Sequence, residues 1–324
     1  MRASARSNLA GAATALMAFA LFAAHDAVVK SLGGSYAPVQ ILFFSVTLGF
    51  PLAVVLLVRD PTDGTLRPRL PGWTLARTAA TVVTGLCAFY AFSTLPLAQV
   101  YALLFATPIL ITVLSIPVLG EVVRARRWAA VLAGLAGVLI VLRPGAVPLT
   151  LGHAAAVLAA CGAATAAVIV RRIGTAERAM VLMLYPMLAN FALMGAMLPF
   201  VYRPMPGRDL AALALLAVLA FAASLMMIAA YRRAEAQAVA PMQYSQIVWA
   251  ILYGAIFFDE RPDALTLLGA SVVIATGLYI LVRESGLATS QRPVARTRSR
   301  PETGTFPRIG ALLGDRVRPG RHDP

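Results

Sequence analysis

The feature that constrains this chain most is a succession of apolar segments, each about as long as a bilayer is thick. A helix needs about 20 apolar residues to cross the hydrocarbon core. Candidate stretches of roughly that length lie at 9–32, 37–58, 72–95, 97–119, 127–143, 149–171, 179–201, 209–231, 236–258 and 264–283. They are separated by breaks rich in Pro, Gly, Arg and acidic residues, such as "RDPTDGTLRPRLPG" (59–72) and "RRIGTAER" (171–178). The break "LPLAQ" (95–99) is so short that the third and fourth spans must form a tight antiparallel hairpin. The composition agrees: 60% hydrophobic and 13% charged, where a soluble domain is about half apolar and about a quarter charged. The chain is predicted to be an all-α polytopic membrane protein with ten transmembrane helices.

The formal charge of +14 raises the question of a nucleic-acid partner. Its distribution argues against one. The basic residues lie in short loops and in the tail after residue 284, with no basic, aromatic-interleaved surface of the kind nucleic-acid readers use. The same distribution orients the chain. With the N-terminus cytoplasmic, fourteen arginines fall on the cytoplasmic side before the tail is counted. The other side holds Lys30, Arg143, Arg203, Arg208 and Arg261. Both termini are therefore expected in the cytoplasm. The first run, at about 24 residues, is long for a signal-peptide core, and it is read as retained. Cys87 and Cys161 lie inside apolar runs and read as packing residues rather than a disulfide or a metal site.

The two halves repeat one another. "VVKSLGG" (28–34) parallels "IVRRIGT" (169–175) at an offset of 141. "LAQVYALLFATPILITVLSIPVLGE" (97–121) parallels "AVAPMQYSQIVWAILYGAIFFDE" (238–260), and each is followed by a last helix, at 127–143 and 267–283. Five spans per half is odd, so the second half must enter the membrane inverted. Such 5+5 inverted repeats are an architecture of secondary transporters, with the substrate site near the midplane between the halves. The expected organisation is a cytoplasmic N-terminus (1–8), a first five-helix repeat (9–143), a second (149–283), and a disordered basic cytoplasmic tail (285–324) able to touch anionic lipid.

The pattern "PLA…Pro108…LGE…RW…G", repeated as "AVAP…DE…G", resembles the EamA-type transporters of the drug/metabolite transporter superfamily over about residues 9–284. The stretches "DAVVKSLGGSYAPVQILFF" and "YSQIVWAILYGAIFFDERPDALTLLGASVVIATGLYI" look most like bacterial members that move riboflavin, S-adenosylmethionine or amino acids. The resemblance implies a multi-pass protein of the bacterial inner membrane that carries a small molecule and is not an enzyme. Such members often have an arginine shortly after "QI-F-F", where this chain has Ser45. A role carried by that arginine does not transfer.

Of the acidic residues, only Asp26 lies well within a span. It is seven residues before Gly33, which places it roughly 10 Å inside that end of the helix. An ionised Asp in the bilayer interior costs on the order of 2.5–3.5 kcal/mol, which suits a group that binds a proton or a cation and releases it. Two readings are open. Asp26 is a coupling acid, with Lys30 reaching outward to the interface, or Asp26 and Lys30, four residues apart on one face, form a structural ion pair. In the second half Ala167 stands at the position matching Asp26. His25 points about 100° away around the helix and reads as a hydrogen-bonded packing residue ahead of a proton relay.

The ninth span supplies the other candidates. Gln246, Trp249 and Tyr253 fall on one continuous face, with Gln243 and Tyr244 close to Pro241 near the cytoplasmic end. Amides are costly in lipid, so this face should look inward. For Gln243 and Tyr253, interhelical bonding or an interfacial aromatic belt fits as well as a site does. The fourth span offers Gln99, Tyr101 and Pro108, the last expected to kink it near mid-span. Tyr90, Tyr185 and Asn190 are weaker candidates. A cavity with one acid, amides and aromatics suits a flat or zwitterionic metabolite. The small-residue stretches "AGLAG" (133–137) and "GASVVIATG" (269–277) favour close helix packing, one use of which is a homodimer contact. Glu121 and the Asp259–Glu260 pair sit at helix ends, where caps and loop salt bridges are expected. No phosphate-binding loop occurs, so transport is expected without an ATPase subunit, and no cofactor or metal is expected.

Overall fold

The computed structural model describes residues 2–58, 66–121, 123, 125–145, 148–173, 176–234 and 239–287. Among these the chain is entirely helical, with eleven α-helices and one 3₁₀ segment. The first half holds α1 (Arg2–Gly33), α2 (Pro38–Val58), α3 (Pro71–Thr94), α4 (Leu97–Leu104), α5 (Thr107–Leu119) and α6 (Ala125–Leu142). The second holds α7 (Leu151–Ile173), α8 (Ala179–Val201), α9 (Gly207–Arg233), the 3₁₀ segment (Ala240–Ser245), α10 (Gln246–Phe258) and α11 (Ala264–Leu287). Helix α1 starts at Arg2, within the segment expected to precede the first span. The tail from 288 onward lies outside the described residues. By length and composition alone, six described spans are long and apolar enough to cross a membrane, with α4 and α5 counted as one. The apolar parts of α2, α6 and α11 are shorter.

The fourth span is interrupted, not merely kinked. Pro108 has no N–H to give the carbonyl of Leu104, and the Thr107 hydroxyl takes that carbonyl instead, at 2.6 Å. The helix therefore stops at Leu104 and restarts at Thr107, with Phe105 and Ala106 between. In the second half the tight turn of Ala240–Ser245, which contains Pro241, passes into α10 at Gln246. The 141-residue offset carries Leu104, the end of α4, onto Ser245, the end of the 3₁₀ segment. Beyond the two-residue break the offset is 139, and it carries the start of α5 at Thr107 onto the start of α10 at Gln246.

The packing repeats in the same way. Helix α1 lies against α9 as α7 lies against α3, and α1 touches α10 and the 3₁₀ segment as α7 touches α5 and α4. The pairs α6–α11 and α2–α8 map onto themselves. Two glycines show why the first pairing is so close. A Cβ on Gly11 of α1 would meet Ala234 at 2.2 Å, and one on Gly152 of α7 would meet Thr94 at 2.4 Å. These glycines are 141 residues apart, and in both places only hydrogen fits. The small-residue stretches of α6 and α11 face each other within the chain. A Cβ on Gly269 would lie 2.7 Å from the carbonyl oxygen of Gly137.

Candidate functional site

Asp26 is fully buried, at 0% exposure, in the seam where α1 meets α4 and α10. Its Oδ1 lies 2.8 Å from His25 Nδ1, and the Tyr101 hydroxyl of α4 donates to its Oδ2. Gln246, the first residue of α10, donates from Nε2 to the Tyr101 oxygen at 3.4 Å. One carboxylate is thus linked to side chains from three elements, two in the first half and one in the second. All four side chains are buried. Buried polar groups of this kind are stable only when bonded, so the cluster fixes the relative positions of α1, α4 and α10. Aromatic rings wall it in: Phe92 and Phe105 pack on Tyr101, Tyr244 packs edge-on against Phe105, and His25 packs edge-on against Phe89.

The cluster retains open hydrogen-bonding positions. Among the described residues, His25 Nε2, Gln246 Oε1, Tyr244 Oη and Trp249 Nε1 are buried atoms without a hydrogen-bond partner. Trp249 stacks on Tyr253, and Tyr253 leans on Phe257, which is 68% exposed. An aromatic ladder therefore runs along α10 from the buried cluster toward the surface.

The remaining candidates are distributed differently. Lys30 does not pair with Asp26. Its Nζ lies 2.8 Å from Glu260 Oε1 and donates to the carbonyl of Leu95 at 2.6 Å. The ion-pair reading of Asp26 and Lys30 is thereby corrected: the lysine is taken by Glu260 of the second half, while Asp26 bonds to His25 and Tyr101. Gln99 sits near the Lys30 end of the fold, with Nε2 at 3.0 Å from His153 Nε2, and helps to line a cleft of about 330 Å³ with Arg143, Glu260, Arg261 and Asp263. Gln243 is buried in the 3₁₀ segment beside Tyr244, whose ring fills the space over Gly277. Tyr90 is half-buried on α3, and its carbonyl accepts from Ser93 and Thr94. Asn190 donates to the carbonyl of Pro186 within its own helix. Ser45 is fully buried, and its hydroxyl has no hydrogen-bond partner among the described residues.

A multi-pass helical protein with a buried acid in the seam of two repeats has the architecture of membrane carriers. Comparison with known proteins makes the class specific. Residues 9–143 and 150–283 each match the EamA-like transporter family, and the chain belongs to it. It is 26% identical over 279 residues to the Pseudopaline exporter CntI of Pseudomonas aeruginosa, covering 85% of this chain and 97% of that protein. It is 26% identical over 285 residues to an S-adenosylmethionine uptake transporter of Rickettsia conorii, covering 86% and 95%. It is 27% identical over 281 residues to a Riboflavin transporter of Vibrio cholerae, covering 83% and 93%. A solved crystal structure, described simply as "Crystal structure of protein", aligns with a TM-score of 0.57 at 20% identity, over 88% of this chain and 99% of the other. That likeness is one of fold. The protein is a multi-pass inner-membrane transporter of the drug/metabolite type.

Proposed function

We propose that this protein is a gradient-coupled, alternating-access secondary transporter in which Asp26 binds and releases the coupling proton or cation. In this reading the two repeats are a 5+5 inverted pair with both termini cytoplasmic, and they rock about a central site. The observation that carries it is the buried Asp26–Tyr101–Gln246 chain, which joins an intramembrane acid to both halves. Such an acid is expensive in a membrane and serves binding or relay by default.

Gln246 and Trp249 line the substrate pocket, with Tyr244, Gln243 and Tyr253 beside them, and Tyr101 positions the carboxylate. Gln99 and Tyr90 lie on the approach rather than in the pocket. The substrate is a small metabolite that is flat or zwitterionic. Riboflavin, S-adenosylmethionine and amino acids are the first to try, together with pseudopaline, for which the exporter relative is named. Open donors and acceptors beside stacked aromatic rings support that choice. A homodimer in the bilayer is compatible with this reading and is not needed by it.

The test is uptake and counterflow in proteoliposomes, with and without a pH gradient, for the wild type and Asp26→Asn. The expected result is one substrate that moves, with Asp26→Asn keeping exchange and losing gradient-driven accumulation by at least about tenfold, the effect of losing 1.4 kcal/mol or more of coupling. Normal accumulation by Asp26→Asn would remove Asp26 from the mechanism. Saturable binding without turnover for every substrate would favour a non-transporting scaffold.

A further inference from the structure

The 141-residue offset relates more than helices. It carries Lys30 onto Arg171, and both cations are paired with a glutamate from the opposite half. Lys30 of α1 meets Glu260 at 2.8 Å, and Arg171 of α7 meets Glu121 at 2.5 Å. The two glutamates are placed by the same local device. Glu121 follows Gly120 at the end of α5, and Glu260 follows Asp259 at the end of α10. Gly120 and Asp259 are both left-handed, with φ of 70° and 52°, a conformation open to Gly and tolerated by Asp. In both places the glutamate N–H bonds back six residues, from Glu121 to the carbonyl of Ser115 and from Glu260 to that of Gly254. The loop geometry therefore presents each carboxylate at the end of its helix, toward the partner cation.

Each pair is tied into further backbone. Glu260 accepts from the N–H of Leu97 at the start of α4, at 2.9 Å, while Lys30 holds the carbonyl of Leu95. At the other end Arg172, beside Arg171, donates to the carbonyl of Val118 near the end of α5 and stands over the Trp73 ring. Both pairs are partly shielded from solvent, so neither is a surface pair of negligible effect. They lie at opposite ends of the interrupted span Leu97–Leu119. One is next to Leu97, and the other is next to Leu119 through Glu121.

From this geometry we infer that Lys30–Glu260 and Arg171–Glu121 are a pair of equivalent latches, one closing each end of the path between the halves, and that transport opens them one at a time. Both are closed in this structure, which corresponds to the occluded intermediate. The four residues are positioning residues, whose bonds lie at the two ends of the interrupted span. The inference rests on the carrier reading above, and it assigns to each latch a gate on one side only.

The test is cysteine accessibility, which needs no substrate. In full-length protein with Cys87→Ala and Cys161→Ala, a single reporter is placed below one latch or the other. Ala98→Cys lies in the cleft beside Glu260, and Ser115→Cys lies six residues before Glu121; both positions are buried. A membrane-impermeant maleimide is applied from each side of oriented vesicles. Glu260→Gln is expected to raise labelling of Ala98→Cys roughly tenfold, and to leave Ser115→Cys no more reactive than before. Glu121→Gln is expected to do the reverse. The tenfold figure is the response to a population shift of about 1.4 kcal/mol.

The charge swap Lys30→Glu with Glu260→Lys should restore low labelling, which also separates gating from misfolding. Unchanged labelling in both glutamine variants, or equal increases at both reporters, would overturn the latches. Counterflow measured on the same vesicles is read separately. Absent counterflow with one-sided labelling removes the carrier reading and leaves the latches standing as gates.

Discussion

Helices α1 and α7 occupy equivalent places in the two halves, and what they share differs in kind from what they do not. Both begin with a glycine that lets a neighbouring helix approach to contact distance, and both end with a cation held by a glutamate from the opposite half. The chemistry between those ends is one-sided. His25 and Asp26 in α1 correspond to Ala166 and Ala167 in α7. The same holds for their partners: the offset carries Tyr101 to Met242, and Gln246, the first residue of α10, corresponds to Thr107, the first of α5. Packing and gating are needed at both ends of a carrier, so they recur in each repeat. On the proposed function a single coupling event per cycle needs one acid, and a second charge in the membrane would add cost without a partner.

The comparison can be attacked first through the frame. Gly11→Val and Gly152→Val each push branched carbon into a neighbouring helix, and each is expected to cost about 1–3 kcal/mol or more by overpacking. Thermal unfolding in detergent should show similar falls in Tm for both. A large fall for one and none for the other would end the equivalence of α1 and α7.

The one-sided chemistry is tested by Gln246→Leu against Thr107→Val. The first removes a donor to the Tyr101 oxygen and an open acceptor, with an expected loss of about 1–2 kcal/mol in substrate affinity, seen as a raised half-saturation concentration. The second, at the equivalent position, should leave that concentration within twofold while lowering stability. Equal effects on binding would mean that the pocket is shared by both repeats.

The smallest effect concerns the Lys30 end. Asp263 is held below the ordinary carboxylate range by hydrogen bonds from Thr266 and from Arg143. A lowered folded-state value contributes stability above the unfolded value, and that contribution is lost as pH falls through the folded one, below about pH 4. Asp263→Asn should therefore flatten the acid limb of the stability profile slightly, with no change near neutrality. Because Asp263 is largely solvated, a shift of more than a few degrees in Tm at neutral pH would give this loop more weight than its geometry does.

The spans were legible in the sequence because apolar length is a local property, and eight of the ten expected spans differ from the helices mainly at their ends; 97–119 is interrupted, and 236–258 holds a 3₁₀ segment before its helix. Pro108 announced a disturbance but not its form. Whether a proline bends or severs a helix depends on who takes the freed carbonyl, and here the hydroxyl of Thr107 does. Asp26 stood out as an acid with no local reason to be there. The partners were less legible. The i, i+4 rule suggested Lys30 for Asp26 because it sees one helix at a time, while Glu260 arrives from the far half of the chain. His25 bonds to Asp26 although consecutive residues diverge around a helix, since both side chains turn into the same seam. The repeat offset was the signal able to find the latches, had the glutamates after each "G" and "D" been matched to the cations it pairs.

The interrupted span has a mechanical consequence. Leu97 is bonded to one glutamate, and Leu119 leads into the other, so this span connects the two ends of the molecule like a beam between two doors. A rigid beam is a lever: pulling one door shut would push the other open, and at mid-swing both would stand ajar. The joint at Phe105–Ala106 lets the two segments settle independently. On the latch inference both doors can then be shut together, and ions held on either side find no continuous wet path while cargo is handed across.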